Sequence, residues 1–256
     1  MKKSILITGA GSGIGRAIAI VLAKRNPEVS LILTGRNLKN LSDTLALLQS
    51  TSSHQAISLD VTNPTSIRSL KSQLEKNQCV LSALVLNAGI GGENKYGDHD
   101  RWSEIIATNL TGPYQVTQEL LPLLKAGPNE FKNIVFISSI LARLGIPKYT
   151  AYCSAKAGLL GLMRSLAAEH ASSKILVNAI CPGWVDTDMS TEGIRDIALA
   201  TRKTVEKIKA EQMAMVPLGK MSSPDEVGEL VNFLISGLQS SITGQALDIN
   251  NGALMP

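Results

Sequence analysis

Cysteine is scarce in this chain, as are histidine and the aromatic residues: three Cys, three His, and 4% Phe, Trp and Tyr among 256 residues. Cys79, Cys153 and Cys181 form an odd, widely spaced set with no CxxC pair and no histidine at metal-ligand spacing. That argues against a disulfide framework or a zinc site and for reduced, buried thiols, as in a cytoplasmic protein; no metal is expected. Long apolar runs are absent, so no membrane span is expected. The apolar stretch after Met1-Lys2-Lys3 ends at a glycine turn after about five residues, too short for a signal peptide. Although the formal net charge is +4, Lys and Arg are scattered among Asp and Glu with no basic run longer than Lys2-Lys3. Nothing concentrates a basic face or a helix-turn-helix for nucleic acid. No linker, low-complexity tract or tandem repeat divides the chain, so a single domain over 1–256 is expected.

What the chain does have is alternation. Strand-like runs stand at "SILIT", "SLILT", "QAISL", "LSALVLN", "NIVFIS", "ILVNAI" and "QALDI", the first read as extending back to Lys2, with helical stretches between them. About seven strands separated by helices imply an α/β domain, a parallel sheet covered on both faces. The first strand runs into "GAGSGIGRAIAIVLAKR", where Gly9, Gly11, Gly13 and Gly15 permit a tight turn that opens an amphipathic helix. Such a turn brings backbone amides and a helix N-terminus to a pyrophosphate. It also serves close helix–strand packing alone. Ile14 stands where the common GxGxxG pattern has its last glycine, so the motif here is Thr8-Gly9-x-x-x-Gly13-x-Gly15, with Ser12 inside it.

Further along, Tyr152 and Lys156 stand four residues apart in an apolar recurrence from Ala151 through Leu166, thirteen residues after Ser139 at the end of "IVFISS". On a helix they share one face. An ammonium beside a phenol favours the phenolate, which would move a pKa of about 10 toward working pH and suit Tyr152 to proton transfer. The alternative is a surface Tyr–Lys pair beside a strand that happens to end in serines.

Taken in order, "TGAGSGIG", "LDV" at Leu59 to Val61, "NAG" at Asn87 to Gly89, "ATNLTGPY" around Asn109, Ser139, Tyr152, Lys156, "VNAICPGWVDTDM" from Val177 and "ITGQALDINNG" near the C-terminus give the sequence its identity. The chain resembles the classical short-chain dehydrogenase/reductase family nearly end to end. Within it, the resemblance is greatest to the 3-oxoacyl-thioester and polyketide ketoreductase branch. One departure is Asn251-Gly252, where many members have two glycines. The resemblance implies a doubly wound, Rossmann-like order and an enzyme acting on CH–OH/C=O with a nicotinamide cofactor. Asn109, Ser139, Tyr152 and Lys156 would be its catalytic set. The cofactor would lie on Thr8, Gly9 to Gly15, Asp60, Val61, Asn87, Ala88, Gly89, Tyr152 and Lys156, with Pro182, Gly183, Val185 and Thr187 at its nicotinamide end. Asn87 would also brace the sheet. Asn109 precedes Gly112-Pro113, and the missing proline amide frees a carbonyl that can hold a water.

The second strand ends in Gly35-Arg36, where an NAD enzyme usually offers a carboxylate to the ribose 2′-hydroxyl. Arg36 instead suits a 2′-phosphate, with Thr34 and Asn37 as neutral donors, so NADP(H) is favoured over NAD(H). As an alternative, Arg36 stacks on adenine and Asp60 only caps the helix entered at Pro64. The expected activity is reduction of a 3-oxoacyl thioester or similar ketone. The alternatives are an NAD(H)-linked alcohol or sugar dehydrogenase and, more remotely, a non-catalytic dinucleotide sensor. The pocket would be walled by Leu141 to Pro147, by the loop after Ile90 and by a helical lid over 188–215 carrying Met189, Met213 and Met215. Glu130 and Ser173 stand where acyl-carrier-protein reductases present arginines, with Lys132 and Lys174 beside them. Apolar faces on "AGLLGLMRSLAAEH", with small Ala157, Gly158 and Gly161, and on "EVGELVNFLISGL" point to a homotetramer, or else to packing on the chain's own sheet.

Overall fold

Residues 4–49 and 52–255 are described by a computed structural model; Lys2 and Lys3, assigned above to the first strand, lie outside them. Seven strands, β1 (Ser4–Thr8), β2 (Ser30–Gly35), β3 (Gln55–Ser58), β4 (Leu81–Leu86), β5 (Lys132–Ile137), β6 (Ile175–Pro182) and β7 (Ala246–Ile249), form one parallel sheet in the order β3-β2-β1-β4-β5-β6-β7. Each expected strand is found to within two residues at either end. The inner strands are buried along nearly their whole length because both faces are covered, while the edge strands β3 and β7 are partly exposed.

Alternation along each strand sorts the side chains into two cores. Leu6, Ile32, Leu84, Ile134 and Phe136 face α3 (Pro64–Lys76), α5 (Gly112–Lys125) and α6 (Thr150–His170). Ile5, Ile7, Leu31, Leu33, Val85 and Val135 face α1 (Gly13–Arg25), α2 (Leu38–Ala46) and α9 (Pro224–Ile235). Each such side chain, fully buried, stabilises the fold by roughly 1.5–3 kcal/mol before the entropy of ordering it. Between β4 and α5 run α4 (Trp102–Ile106) and a π-helical segment, Ala107–Thr111. The widened turn sits just before Pro113, which has no amide to return to the Asn109 carbonyl.

After β6 the chain builds α7 (Asp188–Thr201) and α8 (Val205–Ala214), which share a small core of Ile194, Ala198 and Ile208 against Trp184 and Met221. This is the helical insertion expected over 188–215, and its core is separate from the two beneath the sheet. Thr204 caps α8, and Ser223 with Glu226 forms a reciprocal capping box on α9.

From β1 the chain passes to β2 on one side, and the sheet continues through β4 on the other. The crevice between the C-terminal ends of β1 and β4 is the topological switch point, where α/β sheets of this kind hold ligands. Glycines reveal where backbones must touch. A Cβ on Gly228 would meet Val21 Cγ2 at 2.9 Å where α9 crosses α1, whereas a Cβ on Gly161 of α6 meets nothing within 4 Å. Of the small residues expected to permit close approach on α6, Gly158 does so within the chain: a Cβ there would lie 2.8 Å from Leu110 Cδ2. Two substitutions should separate these cases in denaturant unfolding. Gly228→Ala should lose about 1–3 kcal/mol by overpacking, and Gly161→Ala should gain about 0.5–1 kcal/mol of helix propensity.

Candidate active site

Thr8 closes β1 with its hydroxyl turned toward the end of β4, accepting from the amides of Asn87 at 2.9 Å and Ala88 at 3.0 Å. In return, Asn87 Nδ2 donates to the carbonyls of Thr8 at 3.0 Å and Gly9 at 3.2 Å. These bonds press the glycine turn onto the β4 loop, and side chains are excluded there. A Cβ on Gly9, whose φ is +65°, would come within 2.9 Å of Ala88 Cα, and one on Gly15 would collide with the Gly9 carbonyl. Gly13 also takes a positive φ, and Ser12, at the N-cap of α1, makes no side-chain cap. The first-turn amides of α1 therefore face the crevice uncapped, with no acidic residue in that turn. Arg16 pins the loop from behind, donating to the Gly11 carbonyl at 2.5 Å and to Thr44 Oγ1 at 3.1 Å.

A cavity of about 200 Å³ follows, with Gly9, Gly11 and Ser12 at one end and Arg36, Asp60 and Val61 at the other. The turn, the uncapped helix end and the guanidinium at its far end fit a dinucleotide with an anionic pyrophosphate. Arg36 is exposed at the cavity rim. Its expected neighbours serve other ends. Thr34 is buried and donates to the Ile7 carbonyl at 3.1 Å, and Asn37 caps α2 by accepting from the Asn40 amide at 3.1 Å. Asp60 accepts from the Thr62 hydroxyl at 2.7 Å and amide at 2.9 Å, and these bonds hold its carboxyl below the usual range, with a smaller contribution from Arg36. It does not cap α3; Asn63 does.

At the other end of the crevice the four residues expected to carry chemistry come together. Tyr152 and Lys156 lie one turn apart on α6, with Lys156 Nζ 5.6 Å from the centre of the Tyr152 ring. Tyr152 is hydrogen-bonded to Ser139, which caps a short turn by accepting from the Leu141 amide at 3.1 Å. Asn109 is fully buried in the π segment; its amide clasps the backbone of Ile90, accepting from N and donating to O, both at 2.8 Å. A Cβ on Gly89 would stand 3.2 Å from Asn109 Oδ1 and 3.6 Å from Lys156 Nζ, so that glycine lets loop, amide and ammonium converge. The segment beyond β6 passes over the same spot. Gly183 packs against Asn250, Val185 is buried, and Thr187 caps α7 above Gly13.

Burial dominates the electrostatics. Lys156 is only 5% exposed, its Nζ donates to the Ile137 carbonyl at 2.9 Å, and desolvation pushes its pKa down to about 8. Desolvation likewise pushes the Tyr152 phenol up to about 12, the Ser139 hydrogen bond offsetting only part of the rise. The depression expected from a neighbouring ammonium is thus reversed, because desolvation of the phenol outweighs it.

Sequence reading did not single out Tyr149. Its ring packs edge-on against Tyr152 at 6.3 Å and 86°, and burial raises its phenol pKa, with lesser contributions from Glu93 and Asp196. The i, i+3 spacing of the two tyrosines was its only signal. Around it the loop after β4 is tied to the turn before α6: Asn94 N donates to the Lys148 carbonyl at 2.6 Å, Asn94 Nδ2 to Thr150 Oγ1 at 3.2 Å, and Glu93 pairs with Lys148 at 3.3 Å. Met189 leans across from α7, its sulfur 3.2 Å from where a Gly91 Cβ would be. Among the described residues, no three His, Cys, Asp or Glu side chains cluster as a metal site, and no helix is long and apolar enough to cross a membrane.

Known proteins are similar to this chain over nearly its whole length. A family model described as enoyl-(acyl carrier protein) reductase matches residues 9–253. The 3-oxoacyl-[acyl-carrier-protein] reductase FabG of Salmonella typhimurium is 35% identical over 257 residues, covering 99% of this chain and 98% of its own. Among solved structures, a variant of actinorhodin polyketide ketoreductase with NADPH superposes with a TM-score of 0.91 at 30% identity, covering 98% of this chain and 97% of its own. The aldohexose dehydrogenase of Thermoplasma acidophilum gives 0.84 at 29%, covering 98% and 94%.

One titration tests the electrostatic description without any ligand. By NMR the Lys156 ammonium should lose its proton near pH 8; a midpoint at the ordinary 10.5 would mean that the side chain is solvated.

Proposed function

The chain belongs to the short-chain dehydrogenase/reductase family of oxidoreductases, and from that premise we propose that it is an NADP(H)-dependent ketoreductase acting on a 3-oxoacyl thioester or a similar ketone. The observation that carries this reading is the convergence of Ser139, Tyr152 and Lys156 at the switch-point crevice. The names of the relatives supply the substrate class.

The cofactor would rest its pyrophosphate on Thr8 and Gly9 to Gly15, including Ile14, and its adenosine between Arg36 and the Asp60-Val61 pair. Asn87, Ala88 and Gly89 would line its middle. Tyr152 and Lys156 would meet the nicotinamide ribose, and Pro182, Gly183, Val185 and Thr187 the carboxamide. Bound there, a reduced nicotinamide supplies hydride to a carbonyl carbon.

The protein's part is to manage the oxygen. Held by the Ser139 and Tyr152 hydroxyls, that oxygen takes up negative charge as the carbon is reduced, and Tyr152 gives it a proton. A phenol near 12 keeps its proton at neutral pH, yet is a far stronger acid than an alcohol, which lies near the roughly 15.7 of water. Lys156, near 8, can in turn re-protonate the phenolate. Each transfer runs toward the weaker acid's conjugate base, so the order alkoxide, phenolate, amine is downhill. Pro113 leaves the Asn109 carbonyl without its helical amide, and a water there would link Lys156 to solvent. The 188–215 insertion, with its own small core and Met189 over the crevice, would act as the substrate lid.

The similarity to an aldohexose dehydrogenase supports a second reading, an NAD(H)-linked alcohol or sugar dehydrogenase. Two features bear on the carrier. Glu130 pairs with Lys174 at 2.7 Å, so one of the two lysines near the expected docking positions is already neutralised. Lys132, at the head of β5, stays available. For assembly, β7 is a half-exposed edge strand, and Phe233 and Leu238 are exposed near the end of α9. A homotetramer covering these surfaces is our reading, with a dimer next.

Three measurements test this. Assayed with acetoacetyl N-acetylcysteamine, other ketones and aldohexoses against both cofactors, the protein should reduce the thioester with NADPH, and Tyr152→Phe should cut turnover at least about 100-fold with NADPH affinity nearly unchanged. Near-normal turnover in that variant would remove the phenol from the chemistry. Arg36→Asp should raise the NADPH Kd at least about tenfold while NADH binding holds or improves; equal weakening of both would favour the NAD(H) reading. Sedimentation at micromolar concentration should report four times 27.2 kDa, and a monomer would leave these faces solvated.

A further inference from the structure

Ser139 sits on a short turn whose hydrogen bonds are mostly local: Ala142 N to the Ser139 carbonyl at 3.0 Å, and Arg143 N and Leu144 N to the Ile140 carbonyl at 3.0 and 3.2 Å. Such a turn fixes its own shape but not its place against Tyr152. Two longer connections do that. Ser138 N donates to the Ile180 carbonyl on β6 at 2.7 Å. The other is made by Arg143, whose side chain reaches back over the end of the sheet to the far strand. Its Nη2 donates to the Ala246 carbonyl at 2.9 Å, 103 residues away, and its Nε stands 3.2 Å from Asp248 Oδ1.

Both side chains are largely buried, 24% and 18% exposed; the two facing atoms are closed to solvent and make no hydrogen bond, so the contact is an ion pair. Cys181 of β6 pairs with Asp248 in the ladder. Ser138, next to Ser139, donates its hydroxyl to the Lys156 carbonyl at 2.9 Å. The turn is thus tied by Arg143 to the edge strand and by Ser138 to the helix that carries Tyr152 and Lys156.

We infer that Arg143, held by Asp248, is a positioning residue: it sets where the Ser139 hydroxyl lies against Tyr152 by fastening the turn to β6 and β7. The inference rests on the catalytic reading of Ser139, Tyr152 and Lys156 given above. A largely buried ion pair is weak evidence of a stabilising role, since two well-packed apolar side chains commonly do as well in its place. A fork that donates to a carbonyl while facing a carboxylate fixes a position in a way that a point charge cannot. Displacing a substrate-holding hydroxyl by a fraction of an ångström lowers turnover more than it lowers cofactor binding.

The test compares Arg143→Met, Asp248→Leu, the pair combined, Arg143→Lys and Tyr152→Phe, measuring kcat and KM for acetoacetyl N-acetylcysteamine, the NADPH Kd and the thermal midpoint of each. The combined variant should regain the thermal stability lost by either single change, yet keep a kcat at least about tenfold below wild type, with the NADPH Kd within about twofold of it. Arg143→Lys, which keeps the charge and spares the fold, should show the same loss of kcat. Wild-type kcat in the combined variant or in Arg143→Lys, beside an inactive Tyr152→Phe, overturns the inference and leaves the catalytic reading standing. Activity surviving in Tyr152→Phe overturns the catalytic reading, and the inference falls with it.

Discussion

The contact on which the rest of this molecule depends is the one between the turn after β1 and the loop after β4. Thr8 and Asn87 exchange hydrogen bonds across the switch point, and Gly9 lies against Ala88 with no room for a Cβ between them. Because the two backbones touch, α1 begins at the crevice with its amides uncapped, and Gly89 is carried to within reach of Asn109 and Lys156. The glycine turn and the Asn109–Lys156 end of the crevice are thereby fixed by a single junction. A side chain inserted at Gly9 or Gly15 would separate both.

Burial then sets the chemistry. The same closeness that excludes side chains excludes water, and desolvation moves the Tyr152 phenol up and the Lys156 ammonium down, to about 12 and about 8. The two groups, close to each other in ordinary acidity, are drawn apart, so that the phenol keeps its proton where the ammonium can give one up. On the proposed reading, Lys156 serves less by drawing a proton off the phenol than by being an easily discharged ammonium beside it.

The seven strands were legible because they are apolar runs bounded by glycine, asparagine and helix caps. The π segment was foreshadowed by Pro113, whose missing amide could be read directly. Gly9, Arg36, Asp60 and Gly89, named from motif order, line one cavity, since a turn and a strand end are local facts. What could not be read were the choices made among neighbours in space. The Thr34 hydroxyl is spent on the Ile7 carbonyl, Asn63 rather than Asp60 caps α3, and Leu110 of the same chain packs against Gly158. The acidity of Tyr152 belongs with these: the sequence places Lys156 beside the phenol but does not disclose how far packing desolvates the phenol itself. The Arg143 contact with β7, between residues over a hundred positions apart, gave no sequence signal at all.

The proposed reading has reduction served by a half-buried phenol that stays protonated and by an ammonium that discharges near pH 8. The pH dependence of kcat/KM for reduction, which reports groups of the free protein, tests it most directly. The account predicts a level profile through neutrality that falls above about pH 8 as Lys156 loses its proton, with no loss near pH 7. A rate that rises with pH across this range, or a decline centred near 7, would contradict it.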